Sequence, residues 1–243
     1  MNPDNIQIQP CTTLEEFDRC VELQRRVWQS SDLEIVSREI FVVMSKIGGQ
    51  VFGAFNGQDM IGFVLAFPGL RNGRVYLHSH MAAVLADYQN SGIGRRLKLK
   101  QREDALSRGI DLVEWTFDPL ELRNAYFNIV RLGAVMRRFA PNQYGRTSSP
   151  LHSGLPTDRL IAEWWLKTPR VEAAIEGRPL EPRSDCQRIA VPRAVGELRK
   201  TDITAVAKIQ AELRQQFEYW LSQGYVVTGF ELTEQAGIYL LEL

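Results

Sequence analysis

The segment that most constrains this chain runs from Val84 to Leu97 and reads Val-Leu-Ala-Asp-Tyr-Gln-Asn-Ser-Gly-Ile-Gly-Arg-Arg-Leu. The residues before it, from Val75 to Val84, read as a strand, and those after it read as a helix that runs to about Arg108 and stops at Gly109. A strand that passes through Gln-x-x-Gly-x-Gly into a helix gathers two things at one point. Glycines let the backbone approach a ligand closely, and the helix start supplies free N–H groups and the positive end of the dipole. Such a point suits a pyrophosphate. The third glycine of a dinucleotide fingerprint is missing, and no Gly-Lys-Ser/Thr of a nucleotide-binding loop follows. Along the helix, Arg95, Arg96, Lys98, Lys100, Arg102 and Arg108 outnumber Glu103 and Asp104. They read either as a solvated face or as a local phosphate patch.

Composition narrows the alternatives. The 243 residues are 44% hydrophobic and 24% charged, an ordinary globular mix that speaks against disorder. Lys+Arg and Asp+Glu both number 29, so a general electrostatic grip on nucleic acid or an acidic membrane is not expected. Cys11, Cys20 and Cys186 are too few and too scattered for a disulfide framework or a zinc site, and none lies near a recognisable base. No metal is expected. The stretch from Met1 to Ile6 has neither a basic start nor an apolar run, and the longest apolar run, Ile61 to Phe67, is strand-sized. A cytoplasmic protein with no membrane partner is the expectation.

Periodicity orders the chain. A short strand, Ile6 to Pro10, precedes a helix opened by a Thr12/Glu15 capping box and running to about Trp28. A second helix starts near Ser37 and stops at Gly48-Gly49. Val51 to Phe55 and Met60 to Pro68 form a hairpin about Asn56-Gly57, and the strand from Val75 follows. Leu112 to Phe117 is a further strand, Leu122 to Leu132 a helix stopped by Gly133, and residues 134–166 hold two strands around a Pro- and Gly-rich loop. Pro169, Gly177, Pro179 and Pro182 mark a connector. A strand at Arg188 to Val191, a helix from Thr201 to about Gln223 and two strands, Tyr225 to Phe230 and Ile238 to Leu243, close the chain.

The strand, the Gln-x-x-Gly-x-Gly turn and the helix resemble the signature of the GNAT acyltransferase superfamily, which binds acetyl-CoA. Ala83-Val84-Leu85-Ala86-Asp87-Tyr88-Gln89 resembles the family's lead-in, with Ala86 where proline is usual. Asn124-Ala125-Tyr126-Phe127 through Arg131-Leu132-Gly133-Ala134 resembles its second cofactor-contacting helix. The order of elements from Ile6 to about Leu166 matches too, so the resemblance covers about two thirds of the chain. More closely, the chain is similar to a group of longer GNAT acetyltransferases that carry a comparable C-terminal extension.

The resemblance implies an α/β (α+β type) fold: a mixed, mostly antiparallel central sheet flanked by helices, with a C-terminal β-α-β-β extension. Residues 1–168 would form the core, 169–187 the connector and 188–243 a subdomain packed on the core and shaping its acceptor side. The resemblance also implies that backbone groups of Ala82, Ala83 and Val84 pair with the pantetheine arm, and that amides of Gln89, Asn90, Ser91, Gly92, Ile93, Gly94 and Arg95 hold the pyrophosphate. Asn124 or Asn128 would contact the pantetheine, and Phe127 would pack on it.

Two of the three histidines fall together in Tyr76-Leu77-His78-Ser79-His80-Met81. An i, i+2 pair on a strand projects to one face. The pair serves either as polar core filler or as base for an ammonium acceptor, a role that suits a group titrating near neutrality. The spacing before the loop resembles that of serotonin N-acetyltransferase, where two histidines have that role. His152 lies in a loop and reads as an exposed residue. Many GNAT enzymes carry a tyrosine four residues before the helix-ending glycine as acid for the departing thiolate. Here that residue is Ile129, and Tyr126 or Tyr144 stands as the substitute.

The expected function is a CoA-dependent N-acyltransferase, with His78, His80 and Tyr126 catalytic and acetyl-CoA as co-substrate. The acceptor would be a small-molecule or peptide amine, entering near Trp28 to Asp32 and near Tyr144. A homodimer is left open, and no nucleic acid partner is expected. The alternative is a non-catalytic CoA-binding sensor or interaction module on the same fold. A hydrolase finds no support, because no Gly-x-Ser-x-Gly elbow is present.

Overall fold

The structure, a computed structural model, describes residues 5–28, 34–145 and 154–243. The chain divides into two compact units, and the division falls between Glu114 and Trp115.

The first unit is a sheet with helices on both faces. Its strands are β1 (Ile6–Pro10), β2 (Gln50–Asn56), β3 (Asp59–Arg71), β4 (Arg74–Val84) and the start of β5 (Leu112–Phe117), in spatial order β1-β2-β3-β4-β5. β1/β2, β2/β3 and β3/β4 pair antiparallel, and β4/β5 pair parallel through Leu77↔Val113 and His78↔Glu114. The parallel step is reached through the helix α3 (Ile93–Ser107). Helices α1 (Leu14–Trp28) and α2 (Arg38–Lys46) set Phe17, Cys20, Leu23, Phe41 and Met44 against Phe55, Phe63, Leu65 and Ala83. Ile93 and Leu97 of α3 pack with Ile6, Phe52, Ala54, Ile61 and Val64. The alternation of Phe63, Val64 and Leu65 between these two clusters is the period-two signature of a sheet buried on both faces.

Local chemistry moves several expected boundaries. The first capping box is Thr13/Glu16, one residue later than Thr12/Glu15: Glu16 N donates to Thr13 Oγ1 at 3.2 Å, and Glu16 Oε2 accepts from Thr13 N at 3.0 Å. The β2–β3 turn centres on Gly57-Gln58, because Asn56 already pairs with Asp59. The β3–β4 hairpin extends to Arg71↔Arg74 around Asn72-Gly73, both at positive φ as its two-residue turn requires.

The second unit holds α4 (Leu122–Tyr126), β6 (Val135–Ala140), β7 (Arg159–Trp165), α5 (Pro169–Glu176), β8 (Gln187–Pro192), α6 (Val195–Thr201), α7 (Ile203–Ser222), β9 (Val226–Leu232) and β10 (Ala236–Glu242). Its strands run in the order β7-β6-β9-β10-β8, all antiparallel neighbours. α7 buries Val206, Leu213 and Phe217, and the Phe217 ring meets Phe139 at 5.7 Å and Tyr239 at 5.2 Å.

Two corrections concern this unit. The expected connector over 169–187 begins with a helix, α5, because Thr168 caps it, Pro169 suits its first turn and Gly177 ends it in the left-handed conformation. Val171 and Ala174 bury its inner face. Residue 168 is no boundary of compactness: Arg170 donates to Gly133 O at 3.1 Å, and β6 pairs with β9 at Met136↔Val227. The C-terminal β-α-β-β pattern also gains a helix, α6, set off from α7 where Asp202 accepts from Ala205 N and restarts the turn.

Gly133 has φ +76°, and an added Cβ there would lie 3.0 Å from Arg170 O and Val171 Cα. Strain and backbone contact coincide, so Gly133→Ala is expected to cost about 1–3 kcal/mol. The check is a lowered thermal midpoint; an unchanged midpoint would contradict the stated packing.

Candidate functional site

β4 ends at Val84, and the chain then makes a 3-10 turn over Ala86–Tyr88 before α3. Asn90 (φ +62°) and Gly92 (φ +84°) turn the backbone, and Gly92 caps α3 without any side-chain hydrogen bond. The first i→i−4 bond of the helix start runs from Arg96 N to Gly92 O at 3.0 Å. An α-helix start has N–H groups ahead of its first i→i−4 bond, and they lie at the positive end of the dipole. Among the described residues, a Cβ added at Gly92 or Gly94 meets nothing within 4 Å, so neighbouring protein does not require Gly94 to be glycine. Open space above such a helix start fits an anion. Gln89 to Gly92 are exposed, Ile93 is buried as the anchor, and Gln89 Nε2 holds Val84 O at 3.0 Å. Ala83 is buried in the core with its backbone paired to Phe63, while Ala82 is exposed.

The six basic residues of α3 do not form one patch. Lys98 is buried and donates to Ser79 Oγ at 2.7 Å. Arg96 donates to Ile6 O, Lys100 pairs with Glu103, and Arg108 pairs with Asp104 and donates to Gly48 O. Most of this charge serves the first unit's own packing.

His78 and His80 are brought together, their ring centroids 6.2 Å apart. They do so around a β-bulge: pairing steps from Leu65↔Met81 to Ala66↔Ser79, leaving His80 as the extra residue. The His80 ring stands edge-on to Phe67 at 5.1 Å and keeps an exposed side. Burial, then the charges of His80 and Lys98, push the His78 imidazole down to about 4. Partial desolvation by the surrounding protein lowers His80 as well. Both rings are therefore neutral at pH 7 and free to accept a proton.

Sequence reasoning missed two groups here. Glu114 lies in register with His78 on the neighbouring parallel strand, is 4% exposed and is held by an Arg71 ion pair. The Arg71 guanidinium also sits 4.6 Å above the Tyr76 ring. A single carboxylate inside an apolar strand was the signal for Glu114. For Lys98 the signal was its place on the helical stripe Lys98, Gln101, Ala105, all buried.

In the second unit, Asn124 and Tyr126 are exposed and Phe127 is half-buried. Asn128 is buried, and its Oδ1 accepts from Trp115 Nε1 at 3.2 Å. Ile129 is fully buried. Phe127–Arg131 forms a π turn, closed by Leu132 N to Phe127 O at 3.1 Å. Tyr144 is exposed, its hydroxyl 2.9 Å from Thr116 Oγ1. The expected acceptor residues Gln29 to Asp32, and His152, lie outside the described residues. Among the described residues no group of three metal-binding side chains occurs, and no helix is long and apolar enough to cross a membrane.

No family model and no curated protein matches the chain. Solved structures do. A proposed acetyltransferase of the GNAT family from Desulfovibrio desulfuricans aligns over 66% of this chain and 99% of its own, with TM-score 0.54 and 16% identity. The ribosomal-protein-S18-alanine N-acetyltransferase of Escherichia coli aligns over 67% and 95%, with TM-score 0.53 and 18% identity. NAA60 of Arabidopsis thaliana, in complex with a bisubstrate analogue, aligns over 66% and 98%, with TM-score 0.52 and 15% identity. At such identities the likeness is one of fold.

Proposed function

We propose that this chain, which has the GNAT acyltransferase fold, is a CoA-dependent N-acyltransferase that moves an acetyl group to a small-molecule or peptide amine. The observation that carries the reading is the uncapped start of α3, at the left-handed Gly92, directly beyond the strand that bears His78 and His80. Amides from Gln89 to Arg95 would hold the pyrophosphate, and the backbone of Ala82 to Val84 would align the pantetheine. The amine nitrogen attacks the thioester carbonyl; the C–N bond forms, the C–S bond breaks and CoA leaves as thiolate. Neutral His78 accepts the proton from the attacking nitrogen, and exposed His80 passes it to solvent. A backbone N–H near Val84 would meet the developing oxyanion. By the resemblance, the acid for the thiolate would be Tyr126 or Tyr144 in place of Ile129, and Asn124 or Asn128, with Phe127, would be the residues of the family's cofactor-contacting helix.

Calorimetry with CoA, followed by thiol-release assays over a panel of amines, tests the reading. CoA binding with turnover supports it, and absence of CoA binding overturns it. In the same titration, Gly94→Ala is expected to weaken CoA about tenfold by crowding the ligand's approach, with thermal stability not lowered because the added Cβ meets no protein atom within 4 Å.

A second reading is a non-catalytic CoA-binding module. It is favoured by Ile129, buried where the family commonly carries its acid, and by the low basicity of His78. Tight CoA binding without turnover of any amine would select it.

A further inference from the structure

We propose that Lys98 is a positioning residue for the His78–His80 pair, its ammonium clamping Ser79 and thereby fixing the bulged segment of β4 that carries both imidazoles. The inference rests on the acyltransferase reading for its consequence in turnover, but its geometry stands on the first unit alone.

Ser79 is the residue between the two histidines, and its side chain points to α3. Its Oγ accepts from Lys98 Nζ at 2.7 Å and donates to Gln101 Oε1 at 3.1 Å. Gln50 of β2 continues the network, donating through Nε2 to Gln101 O at 2.9 Å and to Asp104 Oδ2 at 2.8 Å. Ser79, Lys98, Gln101 and Gln50 are all buried, between 0% and 4% exposed. A bulge loses regular ladder bonds, so its conformation needs support from elsewhere. Here a hydroxyl anchored by a buried cation supplies it, one residue before the extra residue His80.

A serine and a lysine at 2.7 Å also form the core of some hydrolytic sites. That role does not fit. Ser79 is 4% exposed, and its proton is committed to Gln101, so the pair is a strut and not a nucleophile with its base.

Electrostatics gives the strut a second effect. Burial draws the Lys98 ammonium down to about 7, and its charge is among the causes that lower His78. The titratable groups tied to the network are Asp104 on α3, which accepts from Gln50, and His78 on β4, whose charge is coupled to Lys98 and to His80; Gln50 of β2 is neutral. As Lys98 loses its proton, the repulsion on His78 falls with it.

The test is NMR on the whole chain, without ligand, comparing the wild type with Lys98→Met and Ser79→Ala, each checked for folding by circular dichroism. Lys98→Met is expected to raise the titration midpoint of the His78 ring above about 4. Both variants are expected to speed amide exchange at Ser79, His80 and Met81 about tenfold. If folded Lys98→Met leaves both the His78 titration and those exchange rates at wild-type values, the proposal is wrong. Should both variants fail to fold, Lys98→Arg, which keeps the cation, decides: restored folding with wild-type exchange at His80 supports the strut, and faster exchange overturns it. Turnover is a separate arm. A fall in kcat with unchanged CoA affinity extends the role to the reaction, whereas a chain that binds no CoA refutes the acyltransferase reading while the NMR result still stands or falls by itself.

Discussion

Replacing both His78 and His80 by alanine is expected to lower kcat/KM for acetyl transfer by about 10²- to 10⁴-fold, the usual worth of a general base, while CoA affinity stays the same. The two rings lie on β4 ahead of the Gln89–Gly94 turn, so their removal leaves the Gly92 helix start intact. Thiol-release kinetics beside CoA calorimetry separates the two effects. The pH profile carries the sign. His78 is held down to about 4 and His80 is lowered as well, so the free-base forms persist below the ordinary imidazole range. The acid limb of kcat/KM should therefore fall well below 6.5, and a limb centred at 6.5 or above would count against these two as the base. Stability follows the same protons. The unfolded chain binds the His78 proton at about 6.5 and the folded chain only near 4, so stability is lost as pH drops through that window, by up to about 3 kcal/mol, and the lowered His80 acts in the same direction. The double variant should show a flatter acid side in its denaturation midpoints.

The second large effect lies in the C-terminal half. Arg214 of α7 grips Asp158 through two hydrogen bonds, 2.9 and 2.7 Å, and Asp158 is 1% exposed. The same carboxylate accepts from Asn142 N at 2.9 Å, and its neighbour Thr157 accepts from Tyr144 N at 2.8 Å through Oγ1. Gln210, one turn earlier on α7, donates to Pro156 O at 2.7 Å. Arg214→Met strands a buried carboxylate and is expected to cost about 3–5 kcal/mol, a melting midpoint lower by roughly 10 °C. Adding Asp158→Asn should recover much of that loss, because the uncompensated charge goes with it. Equal losses in the single and double variants would show that the ion pair is not what holds Asn142 to Tyr144. A change in Tyr144 exposure, read by quenching, should accompany the single variant.

What the sequence disclosed was whatever depends on near neighbours. Gly57 and Gly92 set turns through their own φ angles, and the apolar run from Ile61 to Phe67 marked a strand. The conformation of the turn from Gln89 to Gly94 was readable for the same reason: it is set by local backbone angles at Asn90 and Gly92. What stayed hidden depends on partners far along the chain. The bulge at His80 comes from register with β3, and burial of Lys98 from Ser79 nineteen residues away. α5 was obscured because Pro169 and Gly177, which delimit a helix from outside, look in composition like a connector. Glu114 gave one visible cue, a carboxylate in an apolar strand, but its meaning needed Arg71 and His78 beside it.

The π turn at Phe127–Arg131 has a consequence for evolutionary comparison. A turn closed five residues back holds one residue more than an α turn. Alignment without a gap to a straight helix keeps Gly133 in phase and displaces everything before Phe127 by one position, about 100° of rotation. Asn124 and Tyr126 are thereby compared with the wrong neighbours whenever residues are simply counted back from Gly133. For this helix, losing one residue re-aims Tyr126 more than any substitution around it, and chains that differ here by a single deletion are the ones in which its side chain should point elsewhere.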